Sequence, residues 1–288
     1  MADMLLRCGR FEISLERPQI MGVVNTTPDS FFEGSRHAQA DEAIAHARQL
    51  LAEGADILDI GAESTRPGAD TVSPEAEWLR LAPVLEALRG VSVPLSIDTR
   101  RSEVMRKALD LGADMVNDVS GFLDPASIAV VAPTRAALCV MHMAGDPSTM
   151  QRAPVYRDVV SEVKEFLYGR VQALCAAGVA RDRIVLDPGI GFGKTLDHNI
   201  GLLRHLKSLE TEAHEPTVDA SRSRPLPVLV GLSRKSMIGA LTGREPAGRL
   251  VGSVVGAVAA VAQGASIVRV HDVAQTRDGL AVWRAVGT

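Results

Sequence analysis

The sequence predicts an α/β chain of the (β/α)8 barrel class, and three observations carry that prediction. Eight short runs, at 20–24, 57–61, 94–98, 115–118, 137–142, 184–187, 228–231 and 267–270, are mostly continuous in apolar character, as strands covered on both faces are. Helical stretches separate most of them. A polar cluster stands at the C-terminal end of each run, which is where the active sites of such barrels form. A doubly wound open sheet competes, but the strand count favours the barrel. The 288 residues suit one barrel of about 250 residues plus a lead-in and one long loop, so residues 1–288 are expected to form a single domain.

The elements follow in order. The first 19 residues precede the first barrel strand, and Phe11-Glu12-Ile13-Ser14-Leu15 alternates apolar with polar, which predicts a small β-hairpin closing the barrel bottom. In 41–53, Ala43, Ile44, Ala47, Leu50 and Leu51 share one helical face. Ser73-Pro74 before 75–88 reads as an N-cap followed by proline at the first helical position. Val160, Val163, Leu167, Val171 and Leu174 make the apolar face of 155–177, and Gly178 ends that helix. The polar, Pro- and charge-rich segment 208–227 reads as a flexible surface loop without catalytic content. The Ala- and Gly-rich run 251–262 falls short of the roughly 18 residues that span a membrane and is expected to be a buried helix.

Composition narrows the function classes. Hydrophobic residues make up 46% and aromatics 3%, so the core is aliphatic and the chain is neither disordered nor fibrous. A net charge of −4 disfavours a general nucleic-acid binder. Cys8, Cys139 and Cys175 form no CxxC pair, so reduced thiols in a cytoplasmic protein are expected. Cys139, within an apolar run, reads as a core residue. The N-terminus lacks the apolar run of a secretory signal.

The chemistry collects at the strand ends. They carry Asn25 to Phe31; Glu63-Ser64-Thr65-Arg66-Pro67; Asp98-Thr99-Arg100; Asn117-Asp118; Met141-His142; Asp187 through Phe192 to Lys194; Ser233-Arg234-Lys235; and Arg269-Val270-His271. One Asp at a strand end is often only a helix N-cap; eight polar ends in register are not explained by capping. Asp98, Asn117 and Asp187 suit a heterocycle with an amino-pyrimidine edge, its N–H groups meeting carboxylates and its C=O an amide or Lys235. A hard cation between Asp98 and Asp187 is the competing reading. Arg66, Lys235, Arg269 and His271 suit an anion such as a diphosphate. Phe192, set between glycines, is expected to pack near a planar ligand. Two motifs fail: Pro188 stands where a P-loop needs its first glycine, and Gly231-Leu232-Ser233-Arg234-Lys235 lacks the second glycine of a nucleophile elbow.

At these residues the sequence resembles the dihydropteroate synthases, from about residue 19 to residue 279. The resemblance implies a barrel that joins 6-hydroxymethyl-7,8-dihydropterin diphosphate to 4-aminobenzoate with the help of Mg2+, is competed by sulfonamides, and assembles as a homodimer. By motif, Asp98, Asn117, Asp187 and Lys235 look like the pterin-edge readers, and Phe192 and Arg269 the groups lining the ring. Asn25 looks like the magnesium residue. Thr65, Arg66, Ser233, Arg269 and His271 look like diphosphate and aminobenzoate contacts, with Asp29, Phe31 and Pro67 closing over them. Asp98, Asp187, Lys235, Arg269 and His271 are the expected catalytic set. The first loop departs from the family's Asp-Ser-Phe-Ser-Asp-Gly-Gly, reading Asp29-Ser30-Phe31-Phe32-Glu33-Gly34-Ser35; Ser35 loses a glycine's access to positive φ. A non-catalytic pterin-binding homologue is therefore the alternative. A tetrahydrofolate-linked methyltransferase is disfavoured by the intact Thr65-Arg66-Pro67 and Ser233-Arg234-Lys235.

Overall fold

The structure, a computed structural model, describes residues 4–26, 36–63, 72–145, 150, 154–210 and 225–287. Eight parallel strands form one sheet: β3 (Gln19–Asn25), β4 (Ile57–Gly61), β5 (Leu95–Asp98), β6 (Met115–Asp118), β7 (Ala137–Met141), β8 (Ile184–Asp187), β9 (Leu229–Val230) and β10 (Ile267–Val270). Their order is β8-β7-β6-β5-β4-β3-β10-β9. A parallel bridge from Leu186 to Val228, with Leu186 N–H donating to Pro227 O at 2.9 Å, joins the two ends and closes the barrel. All eight strands fall where the apolar runs predict them. β4 and β7 are buried at every position, which is why alternation is missing from the sequence: the outer face meets helices and the inner face fills the barrel.

The lead-in is the hairpin the alternation predicts. β1 (Leu5–Cys8) pairs antiparallel with β2 (Phe11–Ser14). Leu6, Cys8 and Ile13 enter the bottom of the barrel and pack with Met21, Ile57, Met115, Cys139, Val185 and Ile267. The turn is pinned to the barrel: Gly9 N–H donates to Arg135 O at 3.0 Å, and Arg10 N–H to Asp114 Oδ1 at 3.3 Å. Gly9 has φ +60, and a Cβ there would lie 2.5 Å from Asp114 Oδ1, so no other residue fits. Burial pushes the thiols of Cys8 and Cys139 well up, and both serve as apolar filling.

The outer layer is α1 (Arg36–Ala52), α2 (Pro74–Leu88), α3 (Ser102–Asp110), α4 (Pro125–Val131), α5 (Val159–Ala176), α6 (Leu196–Arg204), α7 (Leu206–Leu209), α8 (Ser236–Thr242), α9 (Leu250–Ala262) and α10 (Val273–Val286). Ser73 caps α2, its Oγ accepting from Ala76 N–H at 3.2 Å, and Gly178 follows α5 at φ +93. One expectation is corrected. The 251–262 run is a helix but not a buried one: Ser253, Ala257, Ala260 and Val261 face the barrel, while Val251 and Val255 are 73% and 62% exposed. Uniform apolarity hid the face, because periodicity needs polar residues to mark the outside. Among the described residues no helix is long and apolar enough to cross a membrane. Of the 208–227 segment, residues 211–224 lie outside the described residues.

Candidate active site

The strand ends converge on the barrel mouth, and a charged network lies just inside it. Asp59 of β4 is fully buried. Its Oδ2 accepts from Arg269 Nε at 2.6 Å and Asn117 Nδ2 at 3.1 Å, and its Oδ1 accepts from Ser96 Oγ at 2.6 Å. The other arm of Arg269, Nη2, donates to Asp98 Oδ2 at 2.7 Å. One guanidinium from β10 thus ties carboxylates of β4 and β5 together. Burial works against the charge on Arg269, yet Asp59 and Asp98 hold its pKa above the ordinary guanidinium value. Burial lifts Asp98 to about 7, with Arg269 opposing and Asp59, Glu77 and Asp118 reinforcing the rise.

Lys235 and Asp187 form the facing wall. Lys235 Nζ donates to Ile190 O at 2.6 Å and stands 4.5 Å from the centre of the Phe192 ring, a cation–π contact. Burial lowers its pKa to about 8 while Asp187 pulls the other way. Burial likewise raises Asp187, opposed by Lys235 and by Gly189 N–H, which donates to Asp187 Oδ1 at 2.7 Å. Gly189 is required here: at φ +67 a Cβ would sit 1.9 Å from His142 O.

Lys194 and His142 brace the rim. Buried Lys194 reaches His142 Nδ1 at 2.9 Å, His142 O at 3.3 Å and Phe192 O at 3.0 Å. It joins the ends of β7 and β8 and fixes the backbone that carries Phe192. Burial brings Lys194 down to about 7 and, with Lys194 adding to the effect, His142 to about 3; the imidazole is neutral at physiological pH. His271 and Ser233 meet where β9 and β10 end, with His271 Nδ1 3.0 Å from Ser233 Oγ. Arg234 turns away to an ion pair with Asp272.

Asp98, Asn117, Asp187, Phe192, Lys235, Arg269, Ser233 and His271 therefore lie on β5, β6, β8, β10 or the turns that follow β8, β9 and β10. Asn25 ends β3 and is exposed. Phe31, Thr65, Arg66 and Pro67, with Asp29, lie outside the described residues. Asp59 and Ser96 are not among the residues the strand ends point to, because both sit mid-strand. A signal was available: Asp59 is the one acid inside Ile57-Leu58-Asp59-Ile60-Gly61, on the same face as Ile57.

The amide of Asn117 has a fixed polarity. Asp59 offers only acceptors, so the NH2 end must face it. Asn117 Oδ1 is then left buried with no partner among the described residues, an open acceptor in a site of matched charges.

Known proteins resemble this chain along its length. The pterin binding enzyme family matches residues 21–271. The dihydropteroate synthase of Neisseria meningitidis serogroup C is 53% identical, over 100% of this chain and 99% of its own. The crystal structure of Burkholderia cenocepacia dihydropteroate synthase complexed with 7,8-dihydropteroate is 49% identical, with a TM-score of 0.88 over 99% of this chain and 97% of that one. Xanthomonas albilineans dihydropteroate synthase with 4-aminobenzoic acid is 45% identical, with a TM-score of 0.89 over 100% of this chain and 99% of that one. With a family match across most of its length and relatives aligned along nearly all of it, the chain belongs to the pterin-binding enzyme family, among the dihydropteroate synthases.

Proposed function

We infer that this barrel condenses 6-hydroxymethyl-7,8-dihydropterin diphosphate with 4-aminobenzoate, giving 7,8-dihydropteroate and diphosphate for folate biosynthesis. The open Oδ1 of Asn117 carries the reading. Beside Asp98 and Asp187 it makes a row of acceptors for the N–H groups of a pterin, and Lys235 supplies the donor for its carbonyl. Phe192 covers one side of the ring. The C–O bond breaks with its electron pair leaving on diphosphate, and positive charge spreads over the pterin. Asp98 and Asp187 stabilise that cation; His271 and Ser233, with Thr65 and Arg66, hold the anion. The aniline nitrogen attacks the exocyclic carbon and then loses a proton. Positioning does most of the work, and no protein nucleophile takes part.

For magnesium, the donor set fits an ion brought with the substrate. Among the described residues no three His, Cys, Asp or Glu side chains form a metal cluster, and a magnesium that binds substrate phosphates needs few protein ligands. Asn25 would supply one oxygen at the mouth. The ion would neutralise charge on the leaving diphosphate.

The test is incubation of the purified protein with the pterin diphosphate, 4-aminobenzoate and Mg2+. Dihydropteroate and diphosphate should appear in equal amounts, with magnesium-dependent rate and competition by a sulfonamide against aminobenzoate. Pterin binding without product would replace this reading with the non-catalytic homologue.

We further place the protein in the cytoplasm as a homodimer, with the whole chain as one domain. The cysteines form no disulfide, in keeping with a reducing compartment. The dimer face we assign is the outer side of α9 and α10, where Val251, Val255, Val282 and Val286 stand exposed at i, i+4 spacing. The double variant Val251→Glu/Val255→Glu should raise the dimer dissociation constant by about a hundredfold or more, read by sedimentation. A dimer of unchanged affinity would remove this face.

A further inference from the structure

We propose that Asp59 is a positioning residue that sets the hydrogen-bond polarity of the heterocycle subsite. It holds the Asn117 amide with its oxygen facing the ligand, so that the site selects an N–H donor there. The inference rests on the pterin reading of the site. Sequence alone left the amide as a partner for a ligand C=O; the network makes its open atom an acceptor. Asp59 is fully buried and receives three donors from three other strands: Ser96 of β5, Asn117 of β6 and Arg269 of β10. Nothing else hydrogen-bonded to Asn117 among the described residues fixes the direction of its amide. A side-chain amide is nearly symmetric in shape, so only its neighbours decide which end faces the ligand.

The competing reading is that Asp59 only balances the charge of Arg269. The two separate chemically. An asparagine at 59 can keep its oxygen toward Arg269 Nε and Asn117 Nδ2 and turn its NH2 to Ser96 Oγ, whose hydroxyl also accepts. It preserves the geometry and removes the charge. Alanine removes both. Removing Ser96 Oγ from the asparagine variant leaves the amide oxygen pinned by Arg269 Nε, which can only donate, so Asn117 keeps its direction.

The experiment measures pterin diphosphate KM and kcat, together with pterin affinity by fluorescence titration, in the parent and three variants. Asp59→Ala should raise the pterin KM and dissociation constant by about tenfold or more, with a smaller fall in kcat. Asp59→Asn should restore both to within about threefold of the parent. Asp59→Asn/Ser96→Ala should bind as Asp59→Asn does, because Arg269 Nε still holds the amide oxygen in place; a fall to the level of the alanine variant would overturn the proposal, with Ser96 setting the direction instead. Asparagine as damaging as alanine would overturn the proposal in favour of charge balance, as would pterin affinity unchanged in alanine. If alanine fails to fold, Asp59→Asn still decides: a loss of pterin affinity of about tenfold or more in it sinks the idea, because it keeps the hydrogen bonds and removes only the charge. A parent that neither binds pterin nor turns over would instead remove the functional reading.

Discussion

Lys235→Ala should reduce kcat/KM for the pterin diphosphate by roughly 30-fold to several thousand-fold, the range for truncating one partner of a buried charge pair at about 2–5 kcal/mol. Two effects combine. The donor for the pterin carbonyl disappears, and Asp187 loses the cation that most opposes its burial. The ring of Phe192 also loses the ammonium 4.5 Å from its centre. Because Lys235 carries a cost of burial itself, its removal should leave thermal stability near that of the parent, and circular dichroism checks that. The pH profile adds a second readout. Lys235 titrates at about 8 and is a charged donor only below that, so the parent's pterin KM should climb as pH rises through about 8. That alkaline limb should vanish in Lys235→Ala. Near-parent activity, or an unchanged limb, would discredit the assignment.

Arg269→Met should be the most damaging single change to both fold and activity. It leaves Asp59 and Asp98 facing each other inside the barrel with no guanidinium between them. Breaking a buried ion pair in this way costs about 3–5 kcal/mol, and urea denaturation measures it. The loss should depend on pH with a definite sign. Asp98 is already raised to about 7 from the ordinary carboxyl value of 3.8 even with Arg269 opposing; without Arg269 its folded-state pKa rises further. The folded state then binds more protons than the unfolded chain, so stability is greatest at low pH and falls as pH rises from about 4 through the raised value. Arg269→Met should therefore be penalised less at pH 5.5 than at pH 8. An equal penalty at both would show that the carboxylates do not feel the missing charge.

The site is unevenly legible in the sequence, and particular residues show why. Asp98, Asn117, Asp187 and Lys235 were legible because each stands at or just beyond the end of a short apolar run, and a barrel has one functional rim. Asp59 was not, because it lies in the middle of its strand, although an acid inside an apolar strand is itself a signal. Arg269 looked like a free cation for an anion; in the fold its Nε and Nη2 are already engaged by Asp59 and Asp98. Lys194 and His142 have no motif between them, and their contact across 52 positions gives them a shared structural task. The outer face of α9 escaped because its sequence is apolar all round.

The sequence by itself determined the number and order of the strands, the hairpin before them, and the residues that end each strand. Those follow from continuous apolar runs, from the period of two in the hairpin and 3.6 in the helices, and from turn chemistry, all of which a short window contains. Only the tertiary structure decided which acids pair with Arg269, which end of the Asn117 amide is open, and which lysine braces a loop rather than facing the ligand. Asp59 meets Asn117 and Arg269 across 58 and 210 positions of the chain. No local pattern encodes those meetings; they exist because barrel closure brings β4, β6 and β10 around one axis, where a buried donor must find an acceptor.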